Sequence, residues 1–481
     1  MSKSAIVVAG EAAVEAAPEN PSPGWALASL CLPILLSSLG ASIANVALPT
    51  LAQSFAASFQ QVQWVVLSYL LAITTLIVSV GKLGDIVGRR RLLLAGILLF
   101  TGASLACAVA PTLGLLIVAR AAQGFGAAVM MALAMALVGE AVSKDRTGSA
   151  MGLLGTMSAI GTALGPSLGG VLIGWFGWPS IFLINAPLGA AAYLLARRLP
   201  RDRQEAKADH RSFDFLGTLL LALTLAAYAL ATTVGRGPFG ALNLGLLLAA
   251  ASGAVLFVLQ QARASSPLIR LAAFRDAALS AGLATSAVVA TVVSATLVVG
   301  PFYLSRALGL SDAQVGLVLS TGPIVSALSG VLAGRIVDRA GASLIAVAGL
   351  ALMAVGSFGL AVTPSLFGVA GYVMAIAALA PGYQLFQAAN NTTVMADVAP
   401  DQRGVISGLL NLSRNLGLIT GASAMGAVFA WASAAADVAA ARPEAAAAGM
   451  RTTFIVAGCL ILAALAFSAR GRVRKATSAE A

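Results

Sequence analysis

The groups that could do chemistry are few. There is one histidine, His210, in a charged loop, and there are three cysteines, Cys31, Cys107 and Cys459, each inside an apolar run. That set supplies neither a nucleophile with its base, nor a metal cluster, nor a disulfide framework. No Gly-x-x-x-x-Gly-Lys-Ser/Thr phosphate loop occurs. The chain therefore reads as neither an enzyme nor an ATP-driven pump, and no cofactor or metal is expected. What remains is a sparse set of charged and polar residues between apolar runs.

The first group is GKLGDIVGRRR, Gly81 to Arg91, answered by GRIVDRAG, Gly334 to Gly341, with the same Gly-x-x-x-Asp-x-x-Gly spacing. Gly81, Gly84 and Gly88 let two helices and a short turn come close. Asp85 can accept hydrogen bonds from helix-end amides or from an arginine of the other half. With Arg89, Arg90, Asp338 and Arg339 it makes a candidate gate that holds one state closed and breaks in the other. Topology signalling is the plainer reading of the positive charge, but it gives no reason for the glycines, the aspartate or the second copy.

The second group is VARAAQGFGA, Val118 to Ala127. Arg120 lies in an apolar helix with Gln123 as polar companion and Gly124 opening a close approach. An intramembrane arginine is either functional or an anchor snorkelling to the interface. The third is GTALGPSLGG, Gly161 to Gly170. Gly161, Gly165 and Gly169 share one face, Gly170 follows, and Pro166 lets the helix bend. This is either a smooth surface between moving bundles or ordinary tight packing. Polar residues on the other apolar runs are candidates for a substrate cavity: Asn45, Tyr69 and Asn185 in the first half, and Tyr303, Tyr383, Gln387, Asn390, Asn391, Asn411 and Arg414 in the second. No carboxylate lies deep in an apolar run. Asp85, Asp312 and Asp338, at the margins, are the only candidates for handling protons, and a neutral or anionic substrate fits better than a cation.

These residues need elements to hold them. Of 481 residues 59% are hydrophobic and 10% charged, and the mean hydropathy is +0.93. A water-soluble protein carries about 25% charge, so the solvent for most of this chain is lipid. The runs predict an all-α membrane protein of fourteen spans, near 25–49, 61–80, 92–110, 114–138, 148–174, 179–196, 214–235, 240–260, 279–304, 313–334, 342–361, 366–389, 404–432 and 450–469. The expected domains are a cytosolic tail (1–23), a six-helix bundle (24–197), a basic linker (198–213), two inserted helices (214–262), a loop or surface helix (263–278), a second six-helix bundle (279–470) and a basic tail (471–481). The net charge of +11 sits mostly in loops on one side. That placement excludes nucleic acid, puts both termini in the cytoplasm of a bacterial inner membrane and offers the loops to anionic lipid.

Residues 25–470 resemble the major facilitator superfamily, and within it the fourteen-helix drug:proton antiporter branch. Gly81 to Arg91 is similar to the family's loop between helices two and three. Arg120 with Gln123, Gly124 and Gly126 resembles its helix-four motif, whose arginine is implicated in proton coupling. Gly161 to Gly170 with Pro166 resembles the antiporter motif of helix five. Asn45 to Pro49 matches the close of the helix-one motif, and Ile181 to Pro187 the helix-six pattern. The resemblance implies two six-helix bundles working by alternating access, a monomer sufficing. The helix-one motif usually holds an aspartate near Gly40; here the stretch reads LGASIANVALP. The expected function is export of a small amphipathic organic molecule, with protons as partner. The alternative is a proton-independent facilitator or uptake carrier for a neutral or anionic metabolite.

Overall fold

A computed structural model describes residues 23–141, 147–199, 214–234, 240–264, 267–269, 271–395, 403–433 and 442–479. The N-terminal tail, most of the linker with His210, and a few side chains, Asp85's among them, lie outside the described residues. Every regular element within them is helical, the arrangement by which a chain in lipid satisfies its own backbone.

The first bundle comprises α1 (Pro23–Val46), extended by α2 (Leu48–Ser54), then α3 (Phe59–Val87), α4 (Arg89–Ala108), α5 (Leu113–Ala141), α6 (Thr147–Phe176) and the pair α7 (Ser180–Leu183) and α8 (Asn185–Ala196). The inserted hairpin is α9 (Phe215–Thr233) and α10 (Ala241–Arg263). The second bundle comprises α11 (Ala277–Phe302), α12 (Asp312–Ala340), α13 (Ala342–Met395), α14 (Arg403–Thr420), α15 (Gly426–Ala432) and α16 (Pro443–Ala479). Single π turns at Tyr303–Ala307 and Gly421–Met425 extend α11 and join α14 to α15.

Twelve helical stretches are long and apolar enough to cross a membrane. One of them, the 54-residue α13, is two helices joined at Gly368, where φ is 55°. Its halves run antiparallel, with Gly349 against Gly382 and Phe386, Gly356 against Leu379, and Gly371 against Thr363. The apolar pair Ser180–Ala196 adds a shorter pass. The described chain therefore makes fourteen passes, and both of its described ends lie on one side. The turns on that side hold Arg89, Arg197, Arg263, Arg275 and Arg339, so we call it the basic end and the other the far end.

Several boundaries differ from expectation: α3 runs to Val87 and α12 to Ala340, past the expected 80 and 334, so both repeated turns are helical up to their last glycine. The stretch before α11 forms only a five-residue 3₁₀ helix, Leu271–Arg275. Helix α16 begins at Pro443, seven residues before the expected span, because proline and Glu444 suit a helix start. It also continues to Ala479, beyond the expected boundary at 470.

Helices α3 and α12 are copies in detail. Each has 29 residues. Ser58 with Gln61, and Ser311 with Gln314, form capping boxes that close the free amides of the first turn. Gly88 (φ 99°) and Gly341 (φ 84°) stop them, each N–H bonding the carbonyl four residues back. The inserted α9 is tied to α3 near both ends. Trp64 Nε1 donates to Thr233 Oγ1 at 3.0 Å, and the Ser79 and Thr218 hydroxyls lie 2.9 Å apart.

Candidate functional site

Arg120 lies two turns into α5 and is fully buried. It does not snorkel; it turns into the first bundle. Its Nε donates to Val65 O at 2.9 Å, and its Nη1 donates to Gly40 O at 3.1 Å and to Gln123 Oε1. The guanidinium carbon stands 4.2 Å from the centre of the Tyr69 ring, whose hydroxyl donates to Ser37 O at 2.7 Å. Gln123 passes the chain on, its Nε2 donating to Ser104 Oγ at 2.6 Å. One arginine thus links α1, α3, α4 and α5 through carbonyl dipoles, an amide and a π face. No carboxylate of a described residue takes part. Gly124 is needed for this approach, since a Cβ there would lie 2.6 Å from Tyr69 O.

The glycine-proline stretch of α6 has two faces. A Cβ at Gly161 would stand 2.5 Å from Leu35 O, one at Gly165 would overlap Ser42 Oγ, and one at Gly169 would stand 2.8 Å from Val46 Cγ1. That stripe packs on α1, inside the bundle. Gly170 and the Pro166 carbonyl turn the other way, onto Gly316 of α12 in the second bundle. The motif thus packs two neighbours, α1 in its own bundle and α12 in the other, through different residues.

The far end carries further joins between bundles. Thr50 Oγ1 donates to Asp312 Oδ1 at 3.0 Å, and Gln63 Nε2 donates to Ala422 O, within the second π turn, at 2.8 Å. Phe59 packs edge-on against Phe302 and Phe429, at 4.6 and 5.5 Å between centroids. The largest buried cluster runs through both bundles, from Leu39 and Phe59 to Leu279 and Ile406, and two smaller clusters each stay within one bundle. One cluster, from Leu30 and Ile34 to Leu133 and Leu154, belongs to the first bundle alone. Another, Val337, Ile345 and Ala389, belongs to the second alone. Thr50–Asp312, Gln63–Ala422, the Phe59 ring contacts and Gly170–Gly316 thus all join the bundles at the far end.

The two repeated charged turns sit at the basic end. Gly81 lies within α3, and the Asp85 side chain is outside the described residues. Gly84 faces Leu133, Arg89 begins α4, and Arg90 Nη2 donates to Arg197 O. Asp338 and Arg339 are exposed. Of the proposed cavity residues, Asn45, Tyr69 and Asn185 are buried in the first bundle. Tyr303 stacks on Tyr372 at 6.4 Å, and Asn390 is buried against Gly282. Tyr383, Gln387, Asn411 and Arg414 are half-buried, and Asn391 is exposed. The structure brings together Arg120, Gln123, Gly124 and Tyr69. Sequence reading missed Thr50, Phe59 and Gln63. Only the Ser58-x-x-Gln61 cap, which fixes where α3 starts, could have drawn attention to that stretch.

Residues 30–422, and overlapping them 282–481, match the sequence profile of the Major Facilitator Superfamily. The riboflavin transporter RibZ of Clostridioides difficile (strain 630) is 31% identical over 402 residues, 83% of this chain and 87% of that protein. The multidrug resistance protein Stp of Mycobacterium tuberculosis (strain ATCC 25618 / H37Rv) is 33% identical over 377 residues, 78% of this chain and 70% of that protein. The probable actinorhodin transporter of Streptomyces coelicolor (strain ATCC BAA-471 / A3(2) / M145) is 32% identical over 419 residues, 82% of this chain and 71% of that protein. Among solved structures, a bacterial homologue of the human lysosomal transporter Spinster, inward-facing and unoccupied, superposes with a TM-score of 0.69 at 17% identity, covering 93% of this chain and 96% of that one. At that identity the likeness is one of fold.

Proposed function

The chain belongs to the Major Facilitator Superfamily, and from that premise we propose that it exports small amphipathic organic molecules by alternating access, with protons moving inward. The coarser statement stands by itself: this is a multi-pass protein of the bacterial inner membrane and a secondary transporter of a small organic molecule, not an enzyme. Export, proton exchange and membership of the fourteen-helix drug:proton branch are our reading. The fourteen passes and the relatives named for drug resistance and actinorhodin support it.

The observation that carries the reading is the asymmetry of the seam. The bundles meet through Thr50–Asp312, Gln63–Ala422 and Gly170–Gly316 at the far end, while two smaller core clusters towards the basic end each stay within one bundle. Under the positive-inside rule the basic end is cytoplasmic. On this reading the far-end joins close the outer side, and the turns of Gly88 and Gly341 lie on the cytoplasmic side. Substrate enters between the bundles, the far-end joins break, and the gate turns with Asp85 and Arg89 close behind it.

The test is reconstitution into liposomes loaded with a pH-sensitive dye, with cationic, neutral and anionic amphiphiles added in turn. Substrate-driven proton movement supports exchange. Labelled substrate crossing with no proton movement supports the facilitator, which the glycine at position 40 favours.

A further inference from the structure

The Arg120 guanidinium carries a full charge, yet all its acceptors, Val65 O, Gly40 O and Gln123 Oε1, are neutral. Its Nη2 has no acceptor at all. A buried charge without a counter-charge costs several kcal/mol. A second orphan lies nearby. Asn185 is fully buried, and neither its Nδ2 nor its Oδ1 has a partner.

Phe182 links the two. Asn185 follows Phe182 by one helical turn and shares its face, and the Phe182 ring lies 5.9 Å from the Arg120 guanidinium carbon. Gly189, one turn further, abuts Thr101 of α4. Helices α4 and α8 run antiparallel, so Asn185 falls opposite Ser104, the hydroxyl that accepts from Gln123. Arg120, Gln123 and Ser104 form one bonded polar chain across α5 and α4, and the register of α8 on α4 brings Asn185 to the same level.

We propose that this polar set holds a monovalent anionic group, with the Nη2 edge of Arg120 supplying charge and hydrogen bonds and the Asn185 amide a further N–H. Tyr69 covers one face of the guanidinium, so the anion approaches edge-on, the geometry in which guanidinium binds oxyanions best. The group is the carboxylate of the transported molecule or a halide of the medium. The carboxylate source rests on the transport reading; the site does not.

The test is the melting midpoint of the full chain in phosphatidylcholine nanodiscs, in sulfate buffer of fixed ionic strength. Benzoate, benzamide, benzylammonium and chloride are titrated separately. We expect benzoate or chloride to raise the midpoint and benzamide and benzylammonium not to. Arg120→Gln should weaken the response by about tenfold or more. Gly40→Asp should abolish it, because it puts a carboxylate on the residue whose carbonyl already accepts from Nη1. Asn185→Leu weakens it and serves if Arg120→Gln does not fold. A response to chloride alone assigns the halide; a response to benzoate assigns the carboxylate. Equal responses to benzoate and benzamide, or responses unchanged in Gly40→Asp and Asn185→Leu, overturn the site. Vesicles that move no substrate while the anion response persists would remove the transport reading and leave the site. Flux without an anion response would do the reverse.

Discussion

Gln63 on α3 and Gly316 on α12 occupy equivalent positions of the two bundles, 253 residues apart, as Ser58 and Ser311 do. Each crosses the seam at the far end. Gln63 reaches the carbonyl of Ala422, and Gly316 lies against Gly170 and the Pro166 carbonyl. One duplicated position thus joins the bundles twice, once by an amide and once by the lack of a side chain.

The amide half is open to test. Gln63→Leu removes a hydrogen bond with a net worth of about 1 kcal/mol, which moves a balanced two-state equilibrium by about fivefold. In a background with Cys31, Cys107 and Cys459 replaced by serine, maleimide should label Thr50→Cys correspondingly faster when Gln63→Leu is added.

The two faces of α6 predict different failures. Gly165→Val drives a side chain into Ser42 inside the first bundle, and overpacking of this kind costs about 1–3 kcal/mol. Its melting midpoint should fall. Gly170→Val meets Asp312 O and Gly316 across the seam. It should melt near wild type but label faster at Thr50→Cys.

The glycines of the repeated turn are not equal. Gly88 and Gly341 have φ of 99° and 84°, and a side chain in that region costs about 1–3 kcal/mol. Gly88→Ala and Gly341→Ala should each lower the melting midpoint. Gly334 is helical with nothing within 4 Å of a Cβ. Gly334→Ala should be neutral or stabilising by up to about 1 kcal/mol.

Much of this was legible in the sequence. Apolar runs interrupted by charged turns give the passes, because lipid tolerates little else. The repeated Gly-x-x-x-Asp-x-x-Gly marks Gly88 and Gly341, because a backbone turning at positive φ demands glycine. The partners of Arg120 were not legible. Two are main-chain carbonyls, of Gly40 and Val65, and any residue supplies one. Nor could the π turn at Gly421–Met425 be read, though it holds the carbonyl that Gln63 meets. Helix α13 was read correctly as two spans, but its turn at Gly368 falls after the expected break at 362–365, since glycine rather than Pro364 takes the non-helical angles.

Arg120→Lys keeps the charge and loses the fork. One ammonium cannot serve Val65 O, Gly40 O and Gln123 Oε1 from their separate directions. A buried acceptor left unpaired costs about 1–3 kcal/mol. Transport per folded molecule should fall by about tenfold or more, with a lower melting midpoint.

Alternating access itself is tested most directly by locking the far end. Thr50→Cys and Asp312→Cys, combined in the same serine background, face each other where the native pair is bonded at 3.0 Å. They are joined by a short, reducible bifunctional thiol reagent. Substrate flux into liposomes is then followed before cross-linking, after it, and after reduction. The account predicts that flux stops on cross-linking and returns on reduction, since the bundles must part there in every cycle. Undiminished flux through the cross-linked protein would contradict it.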